Sequence, residues 1–538
     1  NNTAVGSGAA GSTTTGADNT AVGRSALVEN TTGTQNVAVG ALALENNNAN
    51  DNTAVGYSTM EENTTGTHNT AVGAFALEAN TTGSENTAFG KSALGYNVSG
   101  DGNTALGRSA LSANLASDNT AVGHDALYGN TTGIRNTAVG AYALDAVTTT
   151  NDNTAVGYNA LTASTTGQNN TAVGRNALGA SQGGSNNVAV GRLAMAGANV
   201  TGDNNVALGY QALYAHLGGA GNIALGTNAL VVNTTGGNNV AVGMNALDAN
   251  TTGNYNTAIG GQALTESTTA SENVAVGYQC MDSLTTGNNN VAVGMKAMDD
   301  ATTAIGNIAI GRYALGDLTD GTGNVAIGAY DGAAQPALRV NTGSNNTAIG
   351  SGALSSNTTA GNNVAVGFRS LDANTTGTQN VAVGAYALDA VTTAGYNTAV
   401  GYLALSASTT SGSTAVGHRA LQANTTGNGN IAIGKDSLYT NTTGQYNIAI
   451  GYDALQQNNA SNCVAVGHDA LKLNTTAADN TAVGYNALAA NTTGTLNTAV
   501  GSYALDANGT ASYNTAVGYG ALTDNTTGNQ NTAVGQDC

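Results

Sequence analysis

The sequence predicts an all-β fold, a parallel β-solenoid or β-roll of about 31 coils with a 17-residue period. Three observations predict it. A block of the type Asn-Thr-Ala-Val-Gly recurs roughly 32 times, with Asn19, Asn36, Asn52, Asn69 and Asn86 among its first residues. Most intervals are 17 residues, a few are 16 and one is 18. The composition suits many thin cores rather than one thick one: 75 Gly, 1 Pro, no Trp and 3 Phe, with charged residues at 8% against about 25% in an ordinary soluble domain. Finally, the second residue of the block is Thr, Val or Ile throughout, and β-branched side chains favour extended backbone.

The unit Asn69 to Glu85, NTAVGAFALEANTTGSE, serves as the reference coil, numbered 1 to 17 from its Asn. Positions 2 to 4 read as a strand. Gly at position 5 permits a sharp turn or a positive φ. Position 8 is small and position 9 is Leu or Met, as in Ala76 and Leu77. Asn-Thr-Thr-Gly at positions 12 to 15 reads as a second, more polar strand-and-turn segment. Positions 6, 7, 10, 16 and 17 vary and carry most charges and most Tyr, which places Tyr158, Tyr210, Tyr278, Tyr402 and Tyr485 along one edge. Helix is excluded, because Gly, Asn and Thr interrupt every turn and the period is too short for a helix-pair repeat.

Stacking sets like residues on like residues about 4.8 Å apart, so a continuous stack is expected to be a rod near 150 Å long. The position-1 residues Asn19, Asn36, Asn52, Asn69 and Asn86 are expected to form a side-chain amide ladder, each bonding the copies above and below. Positions 2 and 4 should point one way and position 3 the other. If positions 2 and 4 face the core, the unvarying Ala21, Ala38, Ala54, Ala71 and Ala88 face outward against a partner, which favours side-by-side association as a parallel homotrimer. The alternative places the Ala row in a thin part of the coil's own core.

The blocks Asn36 to Gly40, Asn239 to Gly243, Asn307 to Gly311, Asn430 to Gly434 and Asn447 to Gly451 resemble the head repeats of trimeric autotransporter adhesins. The longer NTAVG-x-x-AL-x-x-NTTG form is similar to shaft repeats of phage tail-fibre-like proteins. The resemblance covers essentially the whole chain. It implies a left-handed parallel β-roll, three chains to a head, and a role in attachment at a cell or virion surface. The adhesin heads use somewhat shorter coils.

Residues 1–538 thus read as one continuous repeat region, expected to be a fragment of a longer fibre, with an irregular inserted loop at 331–340. That coil, between Asn324 and Asn346, has five extra residues and the single Pro. Its Gln335, Pro336 and Arg339 are the candidate contact loop, expected to bulge from the stack. Cys280 and Cys538 stand at position 8 and Cys463 at position 1, as small fillers too far apart in a straight stack for an intrachain bridge. His68, His124, His216, His418 and His468 are scattered. No catalytic grouping, phosphate loop, metal site or cofactor is expected. A net charge of −19 without a basic stripe argues against nucleic acid, and no apolar run is long enough for membrane insertion of this segment.

The expected function is therefore a non-catalytic, extracellular structural or adhesive fibre, with itself as partner and a host-cell, matrix or glycan surface as target. A subunit of a head-to-tail filament and an ice-binding solenoid are the alternatives. The second rests on the Thr row at position 2, which Val and Ile interrupt.

Overall fold

A computed structural model describes residues 1–197, 199–332 and 334–538. They form two compact units, Asn1–Ser271 and Glu272–Cys538. Each unit is a parallel β-solenoid with one three-residue strand per coil and no helix. The first unit runs from β1 (Thr3–Val5) to β16 (Thr257–Ile259), the second from β17 (Val274–Val276) to β32 (Thr532–Val534). Pairing is in strict register. β5 (Thr70–Val72) lies on β6 (Thr87–Phe89) with Thr70 opposite Thr87, Ala71 opposite Ala88 and Val72 opposite Phe89.

Hydrogen bonds between coils run along the stack. In the reference coil, the N–H groups of Thr70, Leu77 and Ala79 donate to Asn86, Ala93 and Gly95 of the next coil at 2.8, 3.0 and 3.0 Å. Those of Gly73, Phe75 and Glu85 donate to Val55, Tyr57 and Thr67 of the preceding coil at 2.8, 3.0 and 3.0 Å. Each coil is thereby bonded to both of its neighbours, and stability accumulates coil by coil.

The strand faces opposite to the orientation that the outward-Ala argument assumes. Ala21, Ala38, Ala54, Ala71 and Ala88 are completely buried within their own coils. Positions 2 and 4 point outward, half-buried at Thr70 and Val72 and exposed at Phe89. The Ala row is part of each coil's own core. That core is made of this Ala, the position-8 Ala, the position-9 Leu and two Asn columns, all buried, as at Ala71, Ala76, Leu77, Asn69 and Asn80.

The Asn-Thr-Thr-Gly segment is a turn and not a second strand. The Val98 carbonyl accepts from both Thr81 N–H at 2.9 Å and Thr82 N–H at 3.1 Å, a shared acceptor that a β-ladder does not use. Asn80 donates from Nδ2 to Gly83 O three residues on, at 2.9 Å. In the 16-residue coils the same bond spans two residues, Asn47 to Ala49 at 2.9 Å and Asn114 to Ala116 at 2.6 Å. The deleted residue comes from this exposed turn, so the core columns keep their register.

Corners are made by left-handed backbone. Leu77 has φ +50° and Phe75 φ +61°, and the pattern recurs at positions 7 and 9 along both units. A branched apolar residue in this region costs about 1–2 kcal/mol. Burial of the Leu side chain and the two hydrogen bonds of its peptide hold it there: Leu77 N–H to Ala93 O, and Asn80 N–H to Leu77 O at 3.2 Å.

Candidate functional site

The coil projects a few side-chain columns, and each becomes a stripe by repetition. The first is the internal amide ladder. Asn36 N–H donates to Asn19 Oδ1 at 3.0 Å, Asn52 N–H to Asn36 Oδ1 at 3.0 Å, Asn69 N–H to Asn52 Oδ1 at 3.0 Å and Asn86 N–H to Asn69 Oδ1 at 2.9 Å. Each Nδ2 crosses its own coil to the position-15 carbonyl, Asn69 to Gly83 O at 2.9 Å for instance. A second ladder, which the sequence reading missed, runs at position 12. Asn80 Nδ2 donates to Asn63 Oδ1 at 2.7 Å and to the same Gly83 O. Both columns are buried and hydrogen-bonded, so they join coils and present nothing to a ligand.

His216 takes the place of a position-12 Asn. It is fully buried, with Nδ1 3.4 Å from Asn233 Nδ2. Burial lowers its pKa to about 4 from 6.5. A depressed folded pKa means that the unfolded chain takes up the proton first. Stability is therefore intact above about pH 6.5 and declines as pH falls toward 4, by about 3 kcal/mol in all. Urea melts of the first unit at pH 7.5 and 4.5 should show this loss, and His216→Asn should remove it while restoring the ladder.

The second stripe is the outward sheet face, positions 2 and 4. Val139, Val156, Val173, Ile259, Ile310, Ile433 and Val500 on it are all exposed. Its exposed side chains recur on successive coils of each unit, and contiguous exposed apolar surface of this kind marks interaction sites. It carries no charged side chain, and strand N–H and C=O groups are used between coils.

The third stripe is aromatic and lies at positions 6 and 7, where the Tyr edge was expected. In the first unit His124, Tyr142 and Tyr158 contact ring to ring at 5.3 and 5.9 Å, and Arg175 lies 5.9 Å over Tyr158. The second unit carries a longer run, described below.

The 331–340 segment is partly folded back instead of bulging throughout. Asp331, Gly332 and Gln335 are exposed, but Pro336, Ala337 and Leu338 are buried, and Ala333 lies outside the described residues. Leu338, at φ +49°, resumes position 9 and donates from N–H to Ala353 O at 3.0 Å. Arg339 is tied to Gln335 Oε1 at 2.8 Å and to Asp317 at 3.3 Å. The contact-loop residues are thus engaged with their own coil and with both neighbouring coils.

The three cysteines carry free thiols. Burial pushes Cys280 up to about 12 and Cys463 up to about 11, so both are inert fillers. No group of three or more metal-ligating side chains occurs among the described residues, and no helix there is long and apolar enough to cross a membrane. Comparison with protein-family models and with curated proteins finds no match to this chain.

Proposed function

We propose that the chain is a non-catalytic structural and adhesive fibre segment, working outside the cell or on a virion surface, whose copies associate side by side. One observation carries this reading: the outward sheet face at positions 2 and 4 is uncharged, made of Thr, Val, Ile, Leu and Phe, and repeated on every coil, while its strand backbone is hydrogen-bonded between coils. A rigid β-solenoid is compatible with a shaft. The partner is a second copy of the same chain, with a trimer as the first expectation. The interface is the outward face of Thr, Val and Ile and not the buried Ala row.

Light scattering tests this. Three times 52.6 kDa is the expected mass, and Val156→Lys with Val173→Lys should lower it toward one chain by placing charges in the face. A 52.6 kDa particle that the Lys variants leave unchanged would remove the association reading. The regular Thr and Val columns of a monomeric face would then favour ice binding, and an ice-recrystallisation assay reads that directly.

A further inference from the structure

The second unit holds an aromatic ridge that the amide ladders and the sheet face do not explain. Phe368, Tyr386, Tyr402 and His418 follow one another on successive coils at ring separations of 5.5, 6.4 and 5.5 Å. Lys435 then lies 4.7 Å over the Tyr452 ring. From there Tyr452, His468, Tyr485, Tyr503 and Tyr519 continue at 5.0, 5.4, 5.2 and 5.9 Å. Tyr402, Tyr452, Tyr485 and Tyr519 are exposed. The Tyr485–Tyr503 and Tyr503–Tyr519 pairs meet nearly edge to face, at 77° and 76°, whereas Tyr402–His418 and Tyr452–His468 stack at 24° and 15°.

Beside the ridge, three depressions follow one another parallel to the stack, of about 370, 430 and 350 Å³. Their lining comes mainly from positions 10 and 11. Gln422 and Tyr439 line the first, Tyr439 and Gln456 the second, Lys472 and Asp506 the third. Ridge and groove share a wall. Arg419 lies 4.8 Å over Tyr439, Gln456 Nε2 donates to Asp453 Oδ1 at 3.0 Å, and Lys472 pairs with Asp453 at 2.8 Å and Asp469 at 2.9 Å. Gln422 Oε1 is shielded from solvent and accepts no hydrogen bond from any described residue.

We infer that this ridge and groove bind a linear, neutral polysaccharide lying parallel to the stack. The ligand must be linear and periodic, because rings and hydrogen-bonding side chains recur along successive coils of the site. It must be polyhydroxylated with apolar faces, because the site combines exposed Tyr rings with amide, hydroxyl and carboxylate groups. The positive C–H edges of a pyranose fit the negative face of a Tyr ring, and its hydroxyls fit Gln422 and Gln456. A peptide strand is disfavoured, since strand addition needs free backbone N–H and C=O groups and the coils use theirs on each other. An anionic glycan is disfavoured by the −19 charge and by cations already paired, Arg419 and Lys435 to Asp436 and Lys472 to Asp453. The inference rests on the attachment reading above by naming what is held. Its test reads binding alone and is independent of mass.

Titration calorimetry of the full chain with cellohexaose, mannohexaose and xylohexaose is the experiment. Saturable binding of at least one is expected, weakened roughly tenfold or more by Tyr439→Ala and by the Tyr452→Ala, Tyr485→Ala pair. Gln456→Ala removes no ring and should weaken binding by a smaller factor. Tyr255→Ala, in the first unit, should change nothing. Circular dichroism melts establish that each variant is folded. No binding of any of the three sugars, binding unaffected by the folded Tyr439 and Gln456 variants, or preferential binding of a hexagalacturonate would each overturn the proposal. A chain that assembles yet fails these tests keeps the fibre reading and loses this one.

Discussion

Gly294→Ala should destabilise the second unit by about 3–5 kcal/mol. Two causes act together. Gly294 has φ +137°, a region that only glycine occupies freely. A Cβ built on it would stand 2.7 Å from both the carbonyl carbon and oxygen of Gly311 on the next coil and 3.1 Å from Arg312 N. The obstacle is backbone held in the inter-coil ladder, so it cannot move aside without opening the joint. Gly509→Ala is the control in the same unit. A Cβ there meets nothing within 4 Å and its φ is ordinary, so the change should be neutral or slightly stabilising through the unfolded chain. Urea midpoints of the two variants measure the difference. Equal midpoints would show that position 5 is not the steric hinge of the coil.

Asn222→Leu should cost about 2–5 kcal/mol although Leu is larger, apolar and buried. Asn222 Nδ2 donates to Gly236 O at 2.9 Å, and its Oδ1 accepts from Asn239 N–H at 3.0 Å. Leucine leaves that carbonyl and that N–H buried without their Asn222 partners, at about 1–3 kcal/mol each. Asn222→Ser should cost less. Ser413 occupies position 1 in another coil, and its Oγ still accepts from Asn430 N–H, at 3.4 Å. Denaturant melts of the first unit would rank the variants Asn, Ser, Leu. Amide exchange at Asn239 should accelerate in the Leu variant, and an unchanged rate there would mean that the ladder does not hold the joint closed.

The fold was legible because periodicity survives every local ambiguity. A block repeated at 17 residues can bury its apolar positions only by stacking on itself, whatever each position does. The sense in which the strand faces was not legible. Thr70, Ala71 and Val72 are all compatible with a core, and period-2 alternation assigns two faces without saying which is inside. Ala is inside in the structure, completely buried at Ala71, while Thr70 and Val72 point outward. The second amide ladder was hidden because Asn80-Thr81-Thr82-Gly83 is also a good exposed turn.

The left-handed corners carry a signal within one of the varying positions. Position 7 is Asp125, Asn159, Asn176, Asn228, Asn245, Asp453, Asp469 or Asn486 on various coils, all at φ between +53° and +57°. Asx residues tolerate that region best, so their excess marks the corner. The position-10 groove left no comparable mark, since Gln422, Tyr439, Gln456, Lys472 and Asp506 share a location and not a residue type.

The joint between most neighbouring coils of a unit is the same joint: the same strand register, the same Asn contacts at position 1, the same glycine corner. Excising a whole coil therefore brings together two surfaces that already fit, while excising part of one does not. Length becomes the one property of such a chain that heredity can change in whole steps without cost to the architecture. Unequal exchange between its near-identical tandem segments would lengthen or shorten the stack in discrete increments, and only features read across several consecutive coils, as the aromatic ridge is, would record that it had happened.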